Sequence, residues 1–268
     1  MESGTQDMLH SKIGLLKEMP EGIRMQATVR ELAGNPETAL LFLSRYAELI
    51  PSPSIEPAAT YFPSWIRSIT GSVHYLTASG AGSVSLDPED WQMVLYKPED
   101  VSYASIGFIC SSIRLESTPI RLAAAERQEM LEQLYGGLLS PMFKGLASGA
   151  GVRVTDLWRL FASSLNNTRT GLLDAVSADS ELKEAMEQDF NYVMGDMSGE
   201  TFGERRNPLA IRFTFIDSPY KPGTQMAMRG ACCLAFKTEY AKYCYHCPRL
   251  KPQERNRMYD EICGSKSS

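Results

Sequence analysis

Apolar residues recur at helical spacing along much of the chain. Leu40, Leu41, Leu43, Tyr46 and Leu49 form one such stripe after a turn at Gly34-Asn35-Pro36. Asn35 is suited to cap this helix and Pro36 to occupy its first position. Pro51-Ser52-Pro53-Ser54 cannot continue it, so it should end near Ile50. Leu131, Leu134, Tyr135, Leu138 and Met142 fall at i, i+3, i+4, i+7 and i+11 and share one face. Further on, Thr155 or Asp156 can cap a helix whose buried stripe is Leu157, Leu160, Phe161, Leu165 and Leu172. Two more helices are expected, from Ser180 to Met194 and from Gln253 to Cys263.

The texture changes between Tyr61 and Glu116, where short apolar runs are broken by Gly, Pro and Asp. The runs Ser72 to Thr77, Ser83 to Leu86, Trp91 to Tyr96 and Ile106 to Arg114 read as strands, with Gly80-Ala81-Gly82 as a turn joining two of them. Leu209 to Ile216 alternates and reads as a strand before turns at Pro219 and Pro222-Gly223. The predicted class is α+β: a helix-rich body with a small, mainly antiparallel sheet and a C-terminal module. By position, 1–60 is an N-terminal helical segment, 61–217 the α+β body and 218–268 the C-terminal module. No internal repeat is visible.

Composition adds limits. The chain has 268 residues, 43% hydrophobic and 22% charged, which suits a globular protein with an ample core. No stretch approaches the roughly 20 apolar residues that span a bilayer. Residues Met1 to Gly22 mix acidic and basic side chains without an apolar run, so a secretory signal is not expected. Thiols without an export signal point to a reducing compartment, the cytoplasm. The net charge of -5 argues against general nucleic-acid binding, but the charge is uneven. From Lys221 to Arg257 eight Lys and Arg face only Glu239 and Glu254, a local +6, which leaves -11 for the remainder. Such a basic stretch is either a set of solvated loop charges or a collar that attracts an anionic partner.

Chemistry concentrates in the same stretch. Cys232-Cys233 is followed after ten residues by Cys244-Tyr245-His246-Cys247-Pro248, so four of the six cysteines fall within sixteen positions. Thiolates gathered this closely hold a soft or borderline metal, as an iron–sulfur cluster or a structural zinc. Structural zinc usually takes two chelating pairs of the C-x2-C kind, and only the second pair here is one. Adjacent cysteines in extended backbone point to opposite sides, so Cys232 and Cys233 converge only where the backbone bends. A [2Fe–2S] rhomb is larger than one ion and offers two positions on each iron, which favours the cluster. A disulfide framework is the third option and lacks an extracellular context.

At Arg229-Gly230-Ala231-Cys232-Cys233-Leu234-Ala235-Phe236 and Cys247-Pro248 the chain resembles the siderophore ferric-iron reductases of the FhuF-like type. Their mark is a C-terminal double cysteine, a C-x2-C about ten residues later and a Pro after the last cysteine. Tyr61 to Glu116 with the helices that follow is similar to the region this family shares with the C-terminal part of aerobactin-type siderophore synthetases. The resemblance implies that Cys232, Cys233, Cys244 and Cys247 hold a [2Fe–2S] cluster. It also implies an oxidoreductase that reduces a ferric siderophore of hydroxamate or citrate-hydroxamate type, as part of iron acquisition. No dinucleotide fingerprint is visible, so electrons would arrive from a ferredoxin, a flavoprotein or a soluble reductant. His246 departs from the family pattern, which has a small or polar residue there.

The remaining residues divide by environment. Arg229, Lys237, Lys242 and Arg249 are the candidates for an electropositive mouth that binds substrate. His246 is either a solvent-facing loop residue or a hydrogen-bond donor to a cluster sulfur. Cys110, in an apolar run, reads as core and Cys263 as a surface thiol. Trp65, Trp91 and Trp158 read as packing residues that could alternatively line a siderophore cleft. No Ser/His/Asp arrangement or phosphate-binding Gly loop is present. Two alternatives stay open: a non-enzymatic zinc-binding interaction protein, and a siderophore-binding relative of the synthetases.

Overall fold

A computed structural model describes residues 2–239 and 242–264. It is helix-rich α+β with a small antiparallel sheet. The N-terminal helix α1 (Glu2–Asp7) and a π-helical turn (Met8–Ile13) precede strand β1 (Ile23–Thr28) and helices α2 (Val29–Gly34) and α3 (Pro36–Leu49). Asn35 caps α3 as expected, its side chain accepting the N–H groups of Glu37 and Thr38, and the helix stops at Ile50. Helix α4 (Glu56–Tyr61) leads into α5 (Arg67–Ser79), β2 (Gly82–Val84), β3 (Trp91–Tyr96), β4 (Ser105–Cys110) and β5 (Ile113–Leu115).

β3 is central, paired antiparallel with β1 on one side and β4 on the other, while β2 and β5 form a separate ladder. Three strand expectations are corrected here. Ser72 to Thr77 is not a strand but lies in α5, a helix buried from Ser68 to Ser79 on every face. Surrounded by neighbours it shows no polar stripe, and its β-branched residues imitate a buried strand. Gly80 therefore does not join two strands: it ends α5 in the left-handed conformation, φ 64°, where a side chain would be strained. Ile106 to Arg114 divides at Ser111-Ser112 into β4 and β5. The strand at Ile23–Thr28 was not anticipated, although it supplies one edge of the sheet.

A nearly continuous helical path follows: α6 (Ala124–Glu132), a π-helical turn (Gln133–Leu139) and α7 (Ser140–Ala150). Leu131, Leu134, Tyr135, Leu138 and Met142 are all buried on it, as the spacing requires. Helix α8 (Val154–Ala175) buries its predicted stripe, but neither Thr155 nor Asp156 caps it. Arg153 is the residue before the helix, Thr155 bonds Glu204 and Asp156 pairs with Arg153. Helix α9 (Ser180–Asn191) packs against α5 and α8. One core joins residues from Leu9 to Leu209.

Beyond the core the chain becomes irregular. Leu209 to Ile216 was expected as one strand, but the ladder begins only at Phe215, with β6 (Phe215–Asp217) paired to β7 (Gln225–Ala227). Upstream, the Leu209 N–H bonds the Asn207 side chain and the Ile211 N–H bonds the Leu209 carbonyl, so local turns use those groups instead of a ladder. The Pro219 and Pro222-Gly223 turns fall between β6 and β7, as predicted. The last helix, α10 (Pro252–Gly264), covers the expected segment. No helix among the described residues is long and apolar enough to cross a membrane.

Candidate metal centre and adjoining cleft

The cysteine segment is laid onto the body by short contacts. Gly230 comes so close to α8 that an added Cβ would lie 2.6 Å from the Arg159 carbonyl oxygen, and its N–H donates to Ser163 Oγ. The Thr60 hydroxyl, on α4, donates to the Cys233 carbonyl at 2.7 Å, and Lys237 pairs with Glu56 on the same helix. The required bend lies just after the double cysteine. Leu234 has φ 58°, the single positive φ among described non-glycine residues. That turn aims its N–H at Cys232 Sγ, 3.4 Å away.

The second pair is a tight turn, closed by the Cys247 N–H on the Cys244 carbonyl. Arg255 of α10 holds it from below, donating to the carbonyls of Tyr245, Cys247 and Leu250. Folding brings the two pairs together across the intervening ten residues. The sulfurs of Cys232 and Cys247 lie 3.5 Å apart, and Cys244 packs on the buried patch of Leu160, Ala231 and Cys233. Cys233 and Cys247 are almost fully buried.

The charges of the four are interdependent. Thiol–thiolate interaction with Cys247, then burial, pushes Cys232 up, and interaction with Cys233 and Cys247 does the same to Cys244. Cys233 is lowered by Cys244, and Cys247 by Cys232 and Cys244, with the Arg249 N–H also directed at its sulfur. Thiolates this close repel one another, so the titration of each depends on its neighbours. A seated cation would remove the need for those protons, and N–H donors to sulfur suit thiolate ligation. As the side chains stand, no group of three or more His, Cys, Asp or Glu among the described residues is set to hold a metal ion.

Cys233 and Cys244 also form part of the wall of a cleft of about 780 Å³ between α3, α4, α8 and the β6–β7 hairpin. Tyr61, Trp65 and Phe215 supply aromatic faces, and Asn166, Asn167 and Gln225 supply amides. Trp65 thus lines the cleft, its indole N–H bonded to the Tyr46 hydroxyl at 3.0 Å, whereas Trp91 and Trp158 are core. Burial pushes the hydroxyls of Tyr46 and Tyr61 up to about 12, so both are neutral donors at ordinary pH. The two asparagines were not recognised beforehand. On α8 their only signal was a polar pair on an amphipathic helix.

The four basic candidates do not share one mouth. Arg229 lines the cleft and donates through Nε to His246 Nε2 at 2.6 Å. Lys237 and Arg249 line a second hollow on the Cys232 side, and Lys242 is exposed and lines neither. His246 is half-buried rather than solvent-facing, and burial, then Arg229, lower it to about 4. Since Nε2 accepts from Arg229, the neutral ring carries its proton on Nδ1, which is buried without a partner among the described residues. Cys110 packs against the core, and Cys263 is half-buried with its sulfur directed at the Pro219 carbonyl, not the surface thiol expected. No family model, curated protein or solved structure matches the chain.

Proposed function

We propose that the protein is a ferric-siderophore reductase in which Cys232, Cys233, Cys244 and Cys247 hold a [2Fe–2S] cluster. One observation carries the reading: the two cysteine pairs fold against each other, with the sulfurs of Cys232 and Cys247 3.5 Å apart, and Cys233 and Cys244 line a cleft of the size that accepts small ligands. A Cys-Cys pair beside a C-x2-C pair suits a two-iron centre better than a single tetrahedral zinc. When bound, the cluster supplies a one-electron donor. The chain's own residues do the rest. Tyr61, Trp65 and Phe215 cover the organic shell of the chelate and exclude water, the three amides meet its oxygen and amide groups, and Arg229 faces its anionic oxygens.

Fe(III) is held by hard oxygen donors such as hydroxamate or citrate, and reduction makes a softer Fe(II) for which those ligands are a poor match. The chelate thus needs only to rest near the thiolates. A cleft with few charges suits hydroxamate and citrate-hydroxamate complexes, and thiols of this kind belong in the reducing cytoplasm.

Anaerobic purification followed by iron, sulfide and zinc analysis tests this. Visible absorption with iron and acid-labile sulfide in equal amounts is the expected result. Stoichiometric zinc without sulfide sinks it in favour of a zinc-held interaction module. Replacing any one of the four cysteines by Ser should abolish or strongly destabilise the coloured centre, while Cys110→Ser and Cys263→Ser keep it.

A further inference from the structure

The double cysteine presents its two members to different hollows. Cys233, with Cys244, lines the aromatic cleft, whereas Cys232 lines a second groove of about 400 Å³ that adjoins the cleft at Thr60. The groove is of another character. Arg153, Arg159, Lys237 and Arg249 stand around it against Glu56 and Asp156, a surplus of two positive charges on a chain whose net charge is -5. All four cations are exposed. Lys237 is neutralised by Glu56 and Arg153 by Asp156, which leaves Arg159 and Arg249 to carry the field. Arg159 comes from the body and Arg249 from the cysteine segment, so this patch exists only when the two are docked.

We infer that this groove is the docking face for an acidic one-electron carrier protein, which delivers its electron at the Cys232 side while the chelate accepts it at the Cys233 and Cys244 side. The inference rests on the cluster reading above. The group that Cys232, Cys233, Cys244 and Cys247 would hold supplies one-electron transfer: the carrier would be oxidised by one electron and the chelate's Fe(III) reduced by one, with no covalent bond made or broken. Separate faces let carrier and chelate be bound together, whereas a shared mouth would make them compete. Charge complementarity of this kind acts mainly on encounter and is weakened by salt.

The test uses the full chain, purified anaerobically, and a plant-type [2Fe–2S] ferredoxin as the acidic carrier. The variant is the double reversal Arg153→Glu with Arg159→Glu. Neither residue lines the aromatic cleft, and Glu at position 153 suits the start of α8. Calorimetric binding of ferredoxin should weaken about tenfold or more in the variant, and in the wild type on raising salt. Stopped-flow reduction by reduced ferredoxin should slow in parallel, while oxidation of the dithionite-reduced protein by a ferric hydroxamate stays unchanged. Equal ferredoxin binding by variant and wild type, or none by the wild type at low salt, overturns the docking face alone. Slower oxidation by the chelate with normal ferredoxin binding makes the groove the substrate's entrance and also overturns it. A colourless protein without iron or sulfide defeats the cluster reading and with it the electron route.

Discussion

Gly230 and Leu234 bracket the double cysteine and are held there by opposite constraints. Gly230 has no room for a Cβ, because the Arg159 carbonyl and the Ile211 side chain occupy the space. Gly230→Ala should lift the segment off α8 at a cost of about 1–3 kcal/mol. The four thiols would then react faster with a disulfide reagent, and the thermal midpoint would fall. An unchanged reaction rate refutes the close contact. Leu234 keeps a left-handed backbone that costs a non-glycine residue about 1–2 kcal/mol. Leu234→Asn should be tolerated, whereas β-branched Leu234→Val should lose the coloured centre. If both behave alike, the bend is not what places the Cys232 sulfur.

At the level of elements, the buried helix α5 makes stability depend on pH. His74 stacks on Phe190 at 4.2 Å and meets the Tyr135 hydroxyl at 3.1 Å, and burial lowers it to about 3. Between that value and the ordinary histidine value near 6.5, the unfolded chain binds a proton that the folded one refuses. Stability is therefore full above about pH 6.5 and falls by up to about 1.4 kcal/mol per unit as pH drops through this window. Urea melts at pH 7 and pH 5 should show the loss, and His74→Gln should reduce it to the share that His246 contributes. A slope that is identical in the variant assigns the effect to other groups. Helices α6 and α9 are tied by a buried ion pair, Arg127 to Asp189 at 2.9 Å, in which burial outweighs Arg127 and holds Asp189 above the usual carboxylate range. Asp189→Ala leaves a buried guanidinium without its countercharge, so a loss of about 3–5 kcal/mol is expected in the same melts.

For the molecule as a whole, the cleft is a joint product of body and C-terminal segment. Trp65 comes from the first and Arg229 from the second, so substrate binding should report on both. A gallium(III) hydroxamate, which copies the ferric complex without accepting an electron, should change Trp65 emission in the wild type. The change should vanish in Trp65→Phe, and Tyr61→Ala should weaken binding about tenfold, since one aromatic face lost from a closed pocket is worth 1 kcal/mol or more. Retention of the signal in Trp65→Phe would place the chelate elsewhere.

Much of this was written in local patterns. Helical spacing located α3, the path from α6 through α7, α8 and α9, because burial of one face leaves a periodic trace. Cysteine spacing marked the four thiols, since their chemistry requires that residue type. Where burial was complete the trace disappeared, which is why α5 read as a strand; the edge strand β1 carries little trace for the opposite reason, since it buries only Ala27. The partition of the basic residues was also hidden. Arg229, Lys237, Lys242 and Arg249 are close in sequence, but which hollow each faces depends on the Leu234 bend, the Glu56 partner and the docking of Gly230 on α8. The amides of Asn166 and Asn167 became part of a site only through that docking. Sequence by itself determined most of the long helices and the thiol set, both of which follow from local composition and spacing. Tertiary structure alone decided which sulfurs meet and what faces each side of them, because those contacts join residues as far apart as Thr60 and Cys233.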